Sequence, residues 1–404
     1  ESLDYREKTM HSSTSSSDTV CLQGPWLKTW LLAIGLTLAV LGGWELTLRR
    51  MGHRPNVIDD EALWAGQRDR VYTRGGEKPI VLIGDCRTQL GLVPTVLRDS
   101  FAGRRVVQLA VEGSSPIATL RDLAADEAFN GTVICGLDAR LLCRDLWDTQ
   151  QHYVDYYHRQ YGLNQKLNRF FSTLAQEHVV SIDPQLRLNN LLVRLATGQP
   201  WPAPYYLRTQ ADRSRLADYS RVDLEAHRKW ACDRTTWLAT NRDLPWTEEW
   251  LQDAMEVEPW VDAIVARGGR VVFVQFPTTG HLFAYDEAIF PKEKFWDAFA
   301  ARTSALCIHF KDVPELAAFD CPDWSHLDRT DALRFTTELG RTLADRELLG
   351  TMPGIMASGQ PDGKPENCHC NAESPCQKAA AECPCCGPHS HDPLCLCEAT
   401  SKPS

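Results

Sequence analysis

The chain has 404 residues, with 43 basic against 53 acidic side chains, a net charge of −10 and 43 % hydrophobic residues. That composition suits one large or two small globular domains and excludes a disordered or collagenous chain. With no Lys/Arg block in the body of the chain there is no electrostatic footprint for nucleic acid, which is excluded as a partner.

Residues 1–25 are polar and rich in Ser and Thr, and are expected to form a disordered N-terminal segment outside the fold, with a start at Met10 or upstream. From Thr29 to Trp44 the chain carries no charge. Those sixteen residues span about 24 Å as a helix, and twenty, to Leu48, span about 30 Å, the thickness of a hydrocarbon core. Trp26, Trp30 and Trp44 fit interfacial belts. Residues 26–48 are therefore read as a single-pass membrane anchor, with a cleaved signal peptide and a buried core helix as alternatives; no small-x-small cleavage site follows. Lys28 precedes the segment while Arg49, Arg50 and Arg54 follow it, a bias that places the body in the cytoplasm.

Residues 55–349 alternate strand and helix signals. The runs Pro79–Gly84, Arg105–Ala110 and Gly131–Gly136 are apolar and start at 26-residue intervals, which is βαβαβ spacing. Arg270–Gln275 and Leu306–Phe310 supply two more. The predicted fold is α/β, a flavodoxin-like doubly wound parallel sheet of five strands with helices on both faces. Residues 137–269 are too many for a loop and are expected to form a large helical insertion capping one end of the sheet. A final amphipathic helix is predicted from Asp328 to about Leu349, after which residues 351–404 lose periodicity and form an irregular Cys-rich tail.

Ligands of an open parallel sheet bind beyond the carboxyl ends of its strands, so the residues following each strand are the candidates. After the first strand stands Gly84-Asp85-Cys86, a thiol at the mouth of the sheet near a helix N-terminus that favours thiolate. A packing role for this Cys is the plain alternative. After the second strand comes Glu112-Gly113-Ser114-Ser115-Pro116, where Gly113 lets backbone N–H groups approach a ligand and Ser115 is placed to cap a helix with Pro116 at its first position. After the fifth strand, Asp323-Trp324-Ser325-His326 can form an Asp–His hydrogen bond that leaves the second imidazole nitrogen free as a base.

This ordered triple resembles the SGNH, or GDSL-like, hydrolase superfamily over about residues 55–345. Gly84-Asp85-Cys86 matches its Gly-Asp-Ser block with Cys in the nucleophile position, Gly113 matches its oxyanion glycine, and Asp323 and His326 match its last block. Asp-Trp-Ser-His-Leu-Asp followed by Phe335-Thr336 is similar to a membrane-anchored branch of that superfamily. The resemblance implies an esterase or acyltransferase acting on O-acyl groups, with acylated cell-surface carbohydrate as substrate, a membrane-bound O-acyltransferase as partner and an extracytoplasmic body. It implies Cys86, His326 and Asp323 as catalytic residues, the N–H groups of Cys86 and Gly113 as oxyanion donors, and no cofactor for catalysis. The third block of the family supplies an Asn, but here the third strand leads into Leu137-Asp138, where an ionised Asp138 would repel an oxyanion. Asn164 or Asn168 in the insertion could substitute, and a catalytically idle carbohydrate-binding scaffold is the competing class.

Seven of the 15 cysteines are scattered over the first 350 residues. In the tail, Cys368, Cys370, Cys376, Cys383, Cys385, Cys386, Cys395 and Cys397, with His389 and His391, offer enough ligands for two tetrahedral sites. Soft thiolates select Zn or Cu(I), and the Cys-x-Cys spacing locally resembles a metallothionein. Disulfides or an unliganded tail are the alternatives. Tyr153, Tyr156, Tyr157 and His158, with Tyr205 and Tyr206, are candidates for either a sugar-stacking cleft or core, and Cys307 and Cys321 for a pair.

Overall fold

The computed structural model describes residues 26–101, 103–241 and 247–346. Every described residue belongs to one compact unit, within Glu1–Thr351. The expected disordered segment 1–25 and the expected Cys-rich tail 351–404 lie outside the described residues.

Helix α1 (Trp26–Arg50) precedes the α/β body. The body begins with α2 (Glu61–Arg68), β1 (Ile80–Ile83), α3 (Cys86–Gly91), α4 (Pro94–Ser100), β2 (Val106–Gln108), α5 (Ile117–Ala125) and β3 (Thr132–Gly136). The insertion carries α6 (Gln151–Arg159), α7 (Leu163–His178), α8 (Leu188–Thr197), β4 (Leu207–Thr209), β5 (Arg215–Ala217), α9 (Leu224–Asn241), α10 (Thr247–Met255) and α11 (Glu258–Ala266). β6 (Arg270–Gln275), α12 (Gly280–Ile289), α13 (Trp296–Ala300), β7 (Leu306–His309), α14 (Pro314–Ala317) and α15 (Arg329–Asp345) complete it.

The five apolar runs form one parallel sheet in the order β2-β1-β3-β6-β7. Their side chains alternate between two cores. Val81, Ile83, Val133, Cys135, Val271 and Phe273 face one, built with Trp64 of α2, Leu120 of α5, Ile264 of α11 and Phe299 of α13. On α15, Phe335, Leu339 and Leu343 fall at i, i+4 and i+8 and are fully buried, the single stripe of a helix packed on one side. The order in which strands are added reverses at β1, because β2 lies on one side of it and β3 on the other. The crevice beyond the carboxyl ends of β1 and β3 is thus the topological switch point, where such sheets bind ligands.

The insertion is helical, as its periodicity implies, apart from the antiparallel hairpin β4–β5. Arg213 in the turn of that hairpin is fully buried, pairs with Asp59 at 2.6 Å and donates to the carbonyl of Gln108 at the end of β2 (3.1 Å). These bonds pin the hairpin above the sheet's carboxyl edge.

At the end of β7, His309 stacks on the Phe310 ring and meets the Trp296 ring edge-on. Burial, then the charges of Lys292 and Lys311, push its pKa down to about 3 from an ordinary 6.5. A depressed histidine stabilises the fold above the unfolded value, and that stability is lost as pH falls towards the folded one. The stability gap between wild type and His309→Asn is expected to narrow from pH 6.5 towards 3 in urea titrations; a constant gap would contradict this.

α1 is long and apolar enough to cross a membrane, with a mean hydropathy of 1.8 in its most apolar stretch. Its last two turns are fastened to the body. Glu45 accepts hydrogen bonds from the N–H groups of Val180 and Ser181 (both 2.9 Å), Arg49 donates to the His178 carbonyl (2.7 Å), and Leu48 is buried against Val180 and Leu186.

Candidate active site

Three loops converge at the switch point. The first leaves β1 through Gly84, which has φ +152°, and a Cβ there would lie 2.0 Å from Thr88 Oγ1. Only glycine permits this approach of α3 to the sheet. Asp85 caps α3 by accepting from the Arg87 N–H (3.0 Å), so Cys86 becomes the helix's first residue. Buried Gln150 anchors the same turn by donating to the Gly84 carbonyl (3.0 Å).

The second loop carries Gly113 at φ +67°, a left-handed conformation in a turn. The N–H groups of Cys86 and Gly113 have no hydrogen-bond partner among the described residues. Ser115 does not cap the next helix: its hydroxyl donates to the Leu141 carbonyl (2.7 Å) and its N–H to Thr149 Oγ1 (2.8 Å), leaving Pro116 at the N-cap of α5. The expected cap loses to a tertiary bond with the loop after β3.

The third loop carries Asp323 and His326. Asp323 Oδ1 accepts from the N–H groups of Ser325 (3.0 Å) and His326 (2.8 Å), while Oδ2 lies 2.9 Å from His326 Nδ1. His326 Nε2 in turn lies 3.0 Å from Cys86 Sγ. Residues 240 positions apart thus form one line from thiol to imidazole to carboxylate. The turn is held by Trp324, at φ 70°, whose carbonyl accepts from the Thr279 N–H (3.0 Å).

Burial alone would raise the pKa of Asp323, but hydrogen bonds and charge from His326, the Tyr219 hydroxyl and the Ser325 N–H hold it far below the ordinary carboxylate range. For His326 burial acts downward and is outweighed by Cys86 and Asp323, which push its pKa up to about 10. A raised histidine stabilises the fold fully below the unfolded value of 6.5, and this is lost as pH rises through about 10. The stability gap between wild type and His326→Gln is therefore expected to shrink across that window; a pH-independent gap would rule the linkage out.

The triad opens into a cavity of about 580 Å³ lined by Cys86, Gly113, Asp323 and His326, by Arg140 from the loop after β3, and by Tyr206, His227 and Trp230 from the insertion. Asp138 does not line it. Its buried carboxylate accepts from Arg87 (2.6 Å) and from the Leu141 N–H (2.8 Å), with Arg140 at 3.8 Å. Burial would raise its pKa, but Arg140 and Arg87 keep it below the ordinary range, so it is an ionised and neutralised structural group. Asn164 and Asn168 are exposed on α7 and do not line the cavity either, so neither supplies an amide there.

Among the candidate aromatics, Tyr153, Tyr156 and Tyr157 pack against the core, His158 Nε2 lies 2.6 Å from Asp122, and Tyr205 donates to Asp183 (3.1 Å); Tyr206 lines the cavity. Cys307 and Cys321 are not bonded, and all six described cysteines are free. Among the described residues no group of three or more His, Cys, Asp or Glu side chains is arranged to hold a metal ion.

Sequence reasoning missed two residues. Tyr219 donates to Asp323 Oδ2 (2.8 Å) from 104 positions away, for which no local signal exists. Arg87 was discoverable, since a cation next to the thiol at the edge of a buried strand requires a buried counter-charge.

Fold and site together define an α/β protein with an open parallel sheet and a Cys-His-Asp constellation at its carboxyl edge. No family model, curated protein or solved structure matches the chain.

Proposed function

We propose that the protein is a membrane-anchored, SGNH-like ester hydrolase or O-acyltransferase acting on O-acyl groups of carbohydrate through Cys86, His326 and Asp323. The observation that carries this reading is the unbroken line of contacts from Cys86 Sγ to His326 Nε2 (3.0 Å) and from Nδ1 to Asp323 (2.9 Å), beside two N–H groups with no partner among the described residues.

In this mechanism the Cys86 proton passes to His326 Nε2 and the thiolate adds to the ester carbonyl carbon, forming a C–S bond. The oxyanion is held by the N–H groups of Cys86 and Gly113. Its collapse breaks the C–O bond, and the departing alkoxide takes the proton from His326, leaving a thioester and an alcohol. Water or a sugar hydroxyl then gives its proton to His326 and attacks the thioester, releasing the acid or a new ester and restoring the thiol. Asp323 orients the imidazole and supports its positive charge.

Aromatic side chains in the cavity, Tyr206 and Trp230, suit a sugar ring. By the resemblance, the acceptor is cell-surface polysaccharide, the body is extracytoplasmic and a membrane-bound O-acyltransferase is a partner; Arg49, Arg50 and Arg54 favour the opposite side, so labelling of intact cells with a membrane-impermeant reagent tests that placement. Among the described residues no Asn lines the cavity, which favours a second reading, an idle carbohydrate-binding scaffold.

The discriminating experiment is p-nitrophenyl acetate turnover by the full chain in detergent beside His326→Ala. Turnover lost in the variant supports the enzyme; saturable glycan binding with no turnover supports the scaffold. For the tail we propose Zn or Cu(I) on the eight thiols and His389 and His391, predicting two or more metal ions per chain by native mass spectrometry. A metal-free mass eight hydrogens lighter would replace this with disulfides.

A further inference from the structure

Two helices of the insertion turn their apolar faces outward. On α7, Leu163, Leu167, Phe170, Phe171 and Leu174 fall at i, i+4, i+7, i+8 and i+11, the stripe that a helix normally buries. Here the stripe is 49 % to 73 % exposed. The polar face is turned inward instead: Arg169 is buried, pairs with Asp60 at 3.1 Å and donates to Gln176 (3.1 Å), which also accepts from the Ile58 N–H (3.1 Å). On α8, Leu188, Leu192 and Leu195 form a second row, 54 % to 79 % exposed, while Leu191 is buried. Exposed apolar area of this extent, on α7 opposite a polar face satisfied against the protein and continued by the row on α8, marks a surface that meets something apolar.

The occupant follows from what holds these helices. The segment joining α7 to α8 carries the groups that grip the end of α1: the His178 carbonyl, the N–H groups of Val180 and Ser181, and the side chain of Leu186. Beyond α8, Trp201 packs edge-on against Trp44 with ring centroids 6.1 Å apart. Both ends of α8, and the end of α7, are thus tied to residues 44–49 of α1. With α1 across a bilayer, the stretch Trp26–Trp44 fills about 28 Å of hydrocarbon, so residues 44–49 sit at the headgroup level. Whatever is fastened to them sits at that level too. Arg50 and Arg54, at and after the end of α1, and Arg187, just before α8, are exposed, as an anionic headgroup layer favours.

We propose that α7 and α8 are in-plane interfacial helices whose outward apolar faces enter the boundary between headgroups and acyl chains beside α1, seating the α/β body on an anionic lipid surface. This rests on the reading of α1 as a spanning helix. An amphipathic helix in this position is buried about 5–10 Å into the interface.

The test uses the full chain in vesicles of phosphatidylcholine and phosphatidylglycerol, with benzoylphenylalanine placed in turn at Phe171, Leu192 and Leu36 and the photoproducts weighed. All three side chains are exposed, so the substitutions leave the core untouched. Lipid adducts at Phe171 and Leu192, within about threefold of the yield at Leu36, are expected. Adducts of twice the chain mass, or none, at Phe171 and Leu192 while Leu36 gives lipid would overturn the proposal and leave the anchor standing. No lipid adduct at Leu36 would overturn the anchor and the interfacial helices together.

Discussion

Cys86→Ala is expected to reduce ester turnover by about 10³-fold or more while the fold survives, because a nucleophile removed from a triad leaves only binding and oxyanion stabilisation. Cys86 is half-buried and packs beside Leu90, Ala217 and Tyr219, so losing its sulfur alters little of the core. Cys86→Ser is expected to retain measurable turnover, with an ester intermediate in place of the thioester, because His326 Nε2 already stands 3.0 Å from the thiol. His326→Ala should match Cys86→Ala, and the double variant should be no worse than either, since residues acting as a unit are non-additive. Stopped-flow and steady-state assays on these four variants beside wild type check this; full activity in Cys86→Ala would refute the assignment.

Arg87→Ala is expected to destabilise the protein by about 3–5 kcal/mol, the cost of leaving a buried charge unpaired. The Arg87 side chain is only 10 % exposed and spans the switch point, contacting Asp138 at 2.6 Å, Ser325 Oγ at 3.4 Å and Asp286 at 3.9 Å. Burial, then the Asp138 charge, already push the pKa of Asp286 up to about 6 despite Arg87 and Arg140. Without the guanidinium Asp286 rises further, and Asp138 loses one of the two charges that hold it low, so it rises as well. A raised carboxyl contributes stability below its unfolded value and loses it as pH increases, so the defect should be larger at pH 8 than at pH 5. Urea unfolding at both values checks the sign, and Arg87→Met with Asp138→Leu should recover most of the loss. A defect below about 1 kcal/mol would show that the pair is not holding the two strand ends together.

What was legible in the sequence is what short-range pattern encodes. Strands buried on both faces read as continuous apolar runs, which is why β1, β2 and β3 fall inside the segments Pro79–Gly84, Arg105–Ala110 and Gly131–Gly136. Asp323 and His326 are three residues apart, so their contact is local. The hairpin β4–β5 has three residues per strand, too few for an alternation to register. The neutralisation of Asp138 depends on β1 lying beside β3, which brings Arg87 to it from 51 positions away. Tyr219 reaches Asp323 only because Arg213 pins the hairpin before it to the sheet's edge. The aromatic cluster divided for the same reason: Tyr153 meets Trp64 across α2, whereas Tyr206 faces the cavity with His227.

The covalent step is tested most directly by intact mass spectrometry of the full chain quenched in acid within the first turnover of p-nitrophenyl acetate. The mechanism predicts a gain of one acetyl group, mapped by peptide analysis to Cys86, removed by hydroxylamine and absent from Cys86→Ala. Turnover with no adduct on the wild type under single-turnover conditions, or an adduct that persists in Cys86→Ala, would contradict it.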